Sequence, residues 1–400
     1  MQKRREIGLI SVGVIVFLMD AAWSMILSTL SLYATALKAS LALVGIIVSG
    51  EGLSRTLGTL PLGILSDRIG RKTVIIIGLT LTLVASISLI VVFDPLQLFP
   101  AAMLLGLGSA VVASIGFAYI ADFTGSTRKG EAIGLYATFM GMGFAIGPYI
   151  GGFTSENWGY ASTYIVSSLF FGVSLVIAWE HLKKRRRSDS QLNTSQSLNK
   201  LLKNLISVIE KKEMIIACLA SFFYGINFST IFGFFPLYAE KIGLGPTLIG
   251  SIITARNFSS TIVRSPVGVL TKKIRSVILM ILALGPPSII LFIIPLFNSY
   301  YSLFVVLSLE GICFGVFLIS SNTLIAEGFG EYERGAAVGM FTTFESLGAT
   351  VGPLILGMVG EFWGLHAVFR ITSFLVLISF IVGALFLGVN GREEVIPNTA

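Results

Sequence analysis

Charged residues lie inside long apolar runs of this chain, where ionised side chains are rare. Seven of them are Asp20, Glu51, Arg55, Arg256, Arg264, Glu310 and Glu345, and Arg370 lies near one end of another run, where no function is expected of it. One such charge in the hydrocarbon of a bilayer costs about 3 kcal/mol or more. A carboxyl group in apolar surroundings holds its proton more tightly than one in water and can exchange it near neutral pH. We therefore expect proton exchange at Asp20 first and Glu310 second, with Glu51 and Glu345 as further candidates. The alternative is that these charges only hydrogen-bond or neutralise one another and hold helices together.

Aromatic side chains suggest a binding pocket. Tyr224 and Asn227 lie one helical turn apart in the Phe-rich run 221–235, and Phe117 and Tyr119 lie in another apolar run. An aromatic wall that contains a carboxylate suits lipophilic cations, and it suits neutral amphiphiles equally. The alternative is ordinary packing of these rings against neighbouring helices and lipid.

Several functions are excluded by what the chain lacks. It has only two cysteines and two histidines, at unrelated positions, so no metal site is expected. No motif of a hydrolase nucleophile or of a zinc protease is present, and we expect no enzyme and no cofactor. The net charge of +7 is confined largely to short segments between apolar runs, which argues against a nucleic-acid partner.

The composition indicates a membrane protein. Of the 400 residues 54% are hydrophobic and 12% are charged, about half the charged fraction of a soluble protein. Twelve runs are long enough to cross a bilayer, and each must be helical because lipid offers no partner to the backbone. We number them spans 1 to 12: 7–33, 42–66, 73–93, 97–121, 131–153, 159–180, 214–239, 247–270, 276–297, 300–326, 335–359 and 364–389.

Basic residues predict the orientation of these spans. The loops on the side of the termini carry 22 of the 28 Lys and Arg residues, whereas the opposite loops carry only Lys38 and Lys241. Cytoplasmic loops are the ones enriched in basic residues. We expect a multi-pass protein of the cytoplasmic membrane with both termini cytoplasmic.

The two halves of the chain repeat the same pattern at an offset of 205 residues. Gly134, Gly147, Pro148 and Trp158 in the first half recur as Gly339, Gly352, Pro353 and Trp363. Such a constant offset indicates a duplicated unit. We predict two pseudo-symmetric six-helix bundles, 1–180 and 214–400, joined by a basic cytoplasmic linker, 181–213. A helix at 201–209 is expected to lie on anionic headgroups, with a regulatory role as the alternative.

Between spans 2 and 3 the chain reads Gly63-Ile-Leu-Ser-Asp67-Arg68-Ile-Gly70-Arg71-Lys72. This run resembles the G-x-L-x-D-R-x-G-R-K signature of the major facilitator superfamily at every defined position. The resemblance implies a cytoplasmic gate formed by Gly63, Asp67, Arg68, Gly70 and Arg71. In it, Asp67 approaches the start of span 11 and Arg71 pairs with Asp122. The second-half counterpart has Lys272 where the first half has Asp67, so the bracing should be stronger in one half.

Span 5 carries a glycine motif on one helical stripe, which lets a neighbouring helix approach closely. Its positions are Gly134, Gly143, Gly147, Pro148, Gly151 and Gly152, and Gly348, Gly352 and Pro353 repeat it in span 11. Pro148 should bend the helix. The motif is similar to one found in the drug/proton antiporter branch of the superfamily. That branch often has an Arg in span 4 where this chain has Ala102, a departure that puts proton coupling in question or moves it elsewhere.

The resemblance also implies positions for the buried charges. In the superfamily, spans 1, 4, 7 and 10 line a central cavity and spans 2, 5, 8 and 11 form the seam between the halves. Asp20 and Glu310 would then face the cavity. Glu51 would pair with Arg256, its equivalent in the other half, and Arg55 with Glu345, while Arg264 would belong to the gate. Glu51 and Arg55 are also four residues apart on one helix face, so they could pair with each other.

Together these patterns predict an all-α carrier with the major facilitator fold that works by alternating access. We expect proton-coupled efflux of small hydrophobic or amphiphilic compounds, with the proton gradient as energy source. The alternative is an importer or symporter for a sugar or an organic anion. We expect a monomer whose partners are its small-molecule substrate and the bilayer.

Overall fold

The structure is a computed structural model that describes residues 2–123, 129–182, 207–330 and 333–393. All regular structure in these ranges is helical. The helices are α1 Gln2–Ala36, α2 Leu41–Ile69, α3 Arg71–Ile90, α4 Leu98–Phe123, α5 Lys129–Trp158, α6 Tyr160–His181, α7 Lys212–Gly233, α8 Phe235–Lys241, α9 Pro246–Leu270, α10 Ser276–Leu282, α11 Gly285–Ile293, α12 Tyr300–Gly328 and α13 Arg334–Glu393. Single 3₁₀ turns lie at Pro95–Gln97 and Ile294–Leu296.

The twelve predicted spans are all present in these helices. Ten helical stretches of the described chain are long and apolar enough to cross a membrane. The last of them, Arg334–Leu387, holds two crossings, because Gly364 interrupts it with a φ of 79°. Span 8 corresponds to α9. It is not among the ten because it is more polar and carries Arg256 and Arg264, but with 25 residues it is long enough to cross a membrane.

Two predicted spans are broken rather than continuous. Span 7 consists of α7 and α8, and span 9 of α10 and α11. Pro236 stands at the start of α8, and Pro286 and Pro287 stand at the start of α11. Proline has no N–H for the preceding turn, so a new helix begins at these positions.

The sequence repeat is also a repeat of contacts. Tyr33 donates a hydrogen bond to the carbonyl of Val92 at 3.3 Å. The residues 205 positions later make the same bond, from Tyr238 to the carbonyl of Phe297 at 2.9 Å. Each of these bonds ties the end of the first span of a bundle to the segment that follows the third. The two halves are therefore the same fold, as predicted.

The glycines of the motif allow one close helix contact in each half. A Cβ at Gly143 in α5 would overlap the carbonyl of Phe17 in α1, and a Cβ at Gly348 in α13 would overlap that of Phe222 in α7. Both residues of the first pair shift by 205 to give the second. Glycine is thus required here by backbone approach rather than by an unusual conformation.

Four helices form the seam between the halves, α2 against α13 and α5 against α9. Each carries two glycines 18 residues apart, about five helical turns, so both lie on one face. On the side opposite the termini, the glycine of each pair meets the backbone of the other half. These four are Gly45, Gly152, Gly250 and Gly357.

The other ends of the same faces are free. No described atom lies within 4 Å of a Cβ built at the second glycine of each pair: Gly63, Gly134, Gly268 and Gly339. The seam is therefore packed on the side opposite the termini and spread on the side of the termini.

Candidate functional site

A buried ion pair forms the centre of the second bundle. Arg256 of α9 binds both carboxylate oxygens of Glu310 of α12, with Nε to Oε2 at 2.5 Å and Nη2 to Oε1 at 3.2 Å. Both side chains are fully buried. Gly311 makes this pairing possible, because α12 comes so close that a Cβ at this position would overlap the backbone of Arg256.

The remaining hydrogen bonds of this pair are also made. Asn227 donates to Oε1 of Glu310 at 2.7 Å, and the Tyr224 hydroxyl lies 3.4 Å from the same atom. On the other side Arg256 donates to Oδ1 of Asn257 at 3.1 Å. A buried pair of this kind is compensated only when such additional partners surround it. We name this set, Tyr224, Asn227, Arg256, Asn257 and Glu310, the second-bundle network.

Aromatic rings enclose the second-bundle network. Tyr224 is stacked between Phe314 and Phe317, with ring centroids 5.2 and 4.3 Å away. The guanidinium of Arg256 lies 4.7 Å from the centroid of Phe314. Tyr224 and Asn227 are therefore held against Glu310, and a role for them in a substrate pocket stays a prediction. Tyr119 is buried in the first bundle, and the side chain of Phe117 lies outside the described residues.

One predicted pairing is wrong in this structure, and another is confirmed. Arg256 does not pair with Glu51, because Glu310 already occupies its guanidinium. Glu51 pairs instead with Arg55 one turn along α2, at 3.3 Å, as the spacing of four residues predicts.

Asp20 in α1 is the buried carboxylate with incomplete partners. Its side chain is 5% exposed, and Oδ2 has no hydrogen-bond partner in the described part of the chain. The charges that act on it are those of Arg55 in its own half and Arg264 in the other half. Arg264 also has a buried Nε without a described partner. Asp20 and Arg264 thus each have a buried atom without a described partner, and Arg264 acts on Asp20 across the seam at a distance longer than that of an ion pair.

The side chains around Asp20 form a second aromatic cluster. The Arg55 guanidinium lies 5.1 Å from the centroid of the Trp23 ring, a cation–π distance. Trp23 in turn packs on Phe144 of α5 at 5.4 Å, and Phe144 packs on Phe232 of α7 at 5.5 Å. We name Asp20, Trp23, Arg55, Phe144 and Arg264 the seam cluster. It joins the two bundles, whereas the second-bundle network lies almost entirely within one.

Glu345 of α13 lies beside the seam cluster. Arg55 and Glu51 are the charges that act on it, but no ion pair within 4 Å joins Glu345 to Arg55. The predicted contact between α2 and α13 is present. Arg55 and Glu345, which were predicted to form an ion pair between these helices, attract one another only at longer range. Because Glu345 is only partly buried, it is less constrained than Glu310.

The gate residues are described in part. Gly70 ends α2 and precedes α3 with a φ of 95°, a conformation that favours glycine. Arg68 is exposed, and Arg71 begins α3. The side chains of Asp67 and Asp122 lie outside the described residues, so the predicted bracing stays a prediction.

The glycine motif of α5 does what its spacing predicts. Gly143, Gly147 and Gly151 contact α1, where a Cβ on Gly147 would overlap the carbonyl of Ala21 and the hydroxyl of Ser24. Pro148 and Gly152 turn instead toward α9. One helix therefore serves both the interior of its bundle and the seam.

Sequence reasoning missed several residues that complete these sites. Trp23, Phe144 and Asn257 carry no motif that would single them out. Glu156 and Glu361 were also missed, although each lies four residues after a motif glycine and the two are separated by the repeat offset. That shared offset was the available signal.

Comparison with known proteins identifies the family. The sequence profile of the Major Facilitator Superfamily matches residues 12–223 and again 217–400. The chain is 23% identical over 360 residues to an uncharacterized MFS-type transporter, MJ1560, of Methanocaldococcus jannaschii, covering 88% of this chain and 90% of that one. It is 32% identical over 186 residues to the multidrug resistance protein MdtG of Proteus mirabilis, covering 45% and 46%. The chain thus matches about half the length of this relative.

Solved structures show the same fold. A mutant of the nucleoside transporter NupG superposes with a TM-score of 0.79 at 15% identity, over 94% of this chain and 99% of that one. A bacterial homolog of the human lysosomal transporter Spinster, in an inward-facing and unoccupied conformation, superposes with a TM-score of 0.78 at 14% identity, over 97% and 98%.

Proposed function

This chain belongs to the Major Facilitator Superfamily, and we propose that it is a secondary transporter that exports small hydrophobic or amphiphilic compounds in exchange for protons. That it is a transporter of small molecules in a membrane, and not an enzyme, follows from the family and from the transporters that share its fold. The direction, the coupling ion and the class of substrate are the proposal.

The observation that carries the proposal is the incompletely bonded carboxyl group of Asp20 at the seam. A proton on this group removes its charge and with it the attraction to Arg264 of the other half. Protonation at this position therefore changes the interaction between the two bundles. Glu310 is less suited to the role, since Arg256 and Asn227 already bind its oxygens.

Alternating access is supported by the two ends of the seam. The halves touch through glycines on one side and are spread on the other. The basic residues in the loops on the side of the termini support cytoplasmic termini, and in that orientation the spread side faces the cytoplasm. We propose that substrate enters there, and that the halves rock about the seam cluster to release it on the other side.

The export of apolar compounds is supported by the aromatic character of the seam cluster and by the partial similarity to MdtG. Phe144, which is partly exposed, packs on the buried rings of Trp23 and Phe232 near Asp20. Aromatic faces next to a carboxylate accept lipophilic cations and amphiphiles. We propose that the substrate lies against these rings.

A transport assay in liposomes tests the proposal. The purified full chain is reconstituted, a pH gradient is imposed, and movement of a fluorescent lipophilic cation and of a neutral amphiphilic dye is followed. We expect dye movement opposite to the proton flow. Asp20→Asn should abolish the dependence on the pH gradient. Asp94→Asn, an exposed carboxylate change far from the seam, should leave it intact.

Two results would contradict the proposal. Dye movement in the direction of proton flow would indicate symport. An unchanged pH dependence in Asp20→Asn would remove Asp20 from the coupling mechanism.

A second candidate is import of an organic anion or a sugar. One observation favours it: Arg55 is 27% exposed at the seam, so its guanidinium can reach a ligand. The same liposomes distinguish the two, because an importer would take up organic anions or sugars along the proton gradient and would not move the dyes.

A further inference from the structure

Two carboxylates cross the seam on the side opposite the termini. Glu156, near the end of α5, accepts a hydrogen bond from the backbone N–H of Thr247 at the start of α9, at 2.7 Å. Glu361 of α13 accepts one from the N–H of Ala42 at the start of α2, at 3.3 Å. The two acceptors, Glu156 and Glu361, are 205 residues apart, and so are the two donors, Ala42 and Thr247. Each bond joins one half of the protein to the other.

The first N–H groups of a helix lack partners within it, and the positive end of the helix dipole lies there. A side chain at the N-cap usually accepts from the second or third residue. The N-cap of α9 is Gly245, which has no side chain to do so. Glu156 of the other half supplies the missing cap.

The absence of a side chain at Gly245 also makes room for Glu156. A Cβ built there would lie 2.6 Å from Oε1 of Glu156. The start of α2 differs, because its N-cap Ser40 already accepts from the N–H of Leu43 at 3.3 Å. Glu361 adds a second acceptor to that end, whereas Glu156 is the side-chain cap of α9. The Glu156 bond should therefore be the stronger of the two.

We propose that Glu156 and Glu361 are a pair of outer latches that hold the seam closed on the side opposite the termini. Both bonds must break when this side opens, because their partners lie in different halves. Loss of the cap then penalises the open state. The latches are positioning residues for the transport cycle, and the proposal does not depend on which ion or substrate is carried.

Distance measurement between spin labels tests the latches without any transport. Labels are attached at Ala36→Cys in the first half and Tyr301→Cys in the second, both exposed on the side opposite the termini. The native cysteines are replaced by Cys218→Ser and Cys313→Ser. In this background the label distance should have one dominant short population. Glu156→Ala with Glu361→Ala should add a longer population, raised about five-fold or more, as expected for the loss of a helix cap.

Three comparisons make the test decisive. Glu156→Ala alone should have a larger effect than Glu361→Ala alone. Gly245→Ala keeps the carboxylate but displaces it, and it should lengthen the same distance. Asp94→Ala, an exposed change on the same side whose carboxylate bonds only within its own half, should have no effect. An unchanged distance in the double alanine variant, or an equal change in Asp94→Ala, would overturn the proposal.

Discussion

Asp20 and Glu310, two of the buried acidic residues of this transporter, differ in how completely they are bonded. Glu310 accepts from Arg256 through both oxygens and from Asn227, all within the second bundle. Asp20 has one oxygen with no described partner, and the charges that act on it are those of Arg55 in its own bundle and Arg264 in the other. Full bonding suits a group that fixes a structure, and incomplete bonding at an interface suits a group whose charge changes.

The two halves carry different residues at the equivalent positions of these two sites. The positions equivalent to Tyr224, Asn227 and Glu310 are Met19, Ala22 and Leu105 in the first half. The first half thus has no counterpart to the second-bundle network. Asp20 in turn corresponds to Gly225 in the second half. The same scaffold carries a fully paired carboxylate in one bundle, although Oδ1 of its neighbour Asn227 has no described partner, and an incompletely bonded carboxylate at the seam.

The largest expected effect comes from breaking the buried ion pair of the second-bundle network. Glu310→Gln leaves Arg256 fully buried without a countercharge, which typically costs about 3–5 kcal/mol. We expect a clear fall in the unfolding temperature of the purified protein in detergent, measured by the fluorescence of its tryptophans.

A double variant sharpens this prediction. Arg256→Met combined with Glu310→Leu removes both charges, and replacing a buried pair by apolar side chains is often neutral. The double variant should recover most of the stability that Glu310→Gln loses. A double variant as unstable as the single one would mean that the pair stabilises the bundle by more than its mutual neutralisation.

The next effect tests whether equivalent substitutions in the two halves cause equal losses of stability. Gly143→Ala and Gly348→Ala each force a Cβ against the backbone of the facing helix. Overpacking of this kind costs about 1–3 kcal/mol, and the two losses of stability should be similar.

Gly134→Ala and Gly339→Ala are the matched controls. They lie on the same two helices with no described atom within 4 Å of the added Cβ. Alanine is the better helix former by about 1 kcal/mol, so stability should be unchanged or slightly higher. A loss at Gly134 or Gly339 equal to that at Gly143 would show that the described contacts do not control stability here.

Much of the fold was predictable because the bilayer restricts it. Span number and the duplicated bundles followed from hydropathy and from the offset between Gly143 and Gly348. The breaks at Phe234 and between α10 and α11 were not predicted, although Pro236 and Pro287 mark them. A single crossing was assumed to be a single helix, whereas proline divides these two.

The pairing of charges was less predictable than the fold. The pair of Glu51 and Arg55 is local and follows from helix geometry alone. The partner of Arg256 depends on which helix approaches α9 most closely. That approach is set by Gly311, a residue outside the motifs used to interpret the sequence. Contacts between distant spans can therefore be assigned only from the folded structure, not from the sequence pattern.

A smaller effect of opposite sign is expected at Asp20. Asp20→Asn removes a buried charge whose bonding is incomplete, so its desolvation cost disappears while little bonding is lost. We expect stability in detergent to be equal to or above that of the unmodified protein, in contrast to Glu310→Gln. The same thermal measurement checks this, and a loss as large as that of Glu310→Gln would remove the distinction between the two sites.

The smallest effect concerns an exposed ion pair, which extends the comparison to the protein surface. Lys211, before α7, donates to Glu333 at 2.9 Å, and Ser207 donates to the other oxygen at 3.0 Å. Hydrogen bonds from Lys211 and Ser207 lower the pKa of Glu333 below its ordinary value of 4.5. A lowered pKa means that the contact is present above pH 4.5 and is lost as the pH falls through the lower folded value.

We expect amide hydrogen exchange in residues 207–211 to accelerate in that acidic range, beyond the intrinsic effect of pH. Lys211→Met should produce the same acceleration at neutral pH. Lys212→Met, at the first residue of α7, should not, because Lys212 has no ion pair in the described part of the chain. Equal exchange in the two variants would show that the ion pair does not hold this segment.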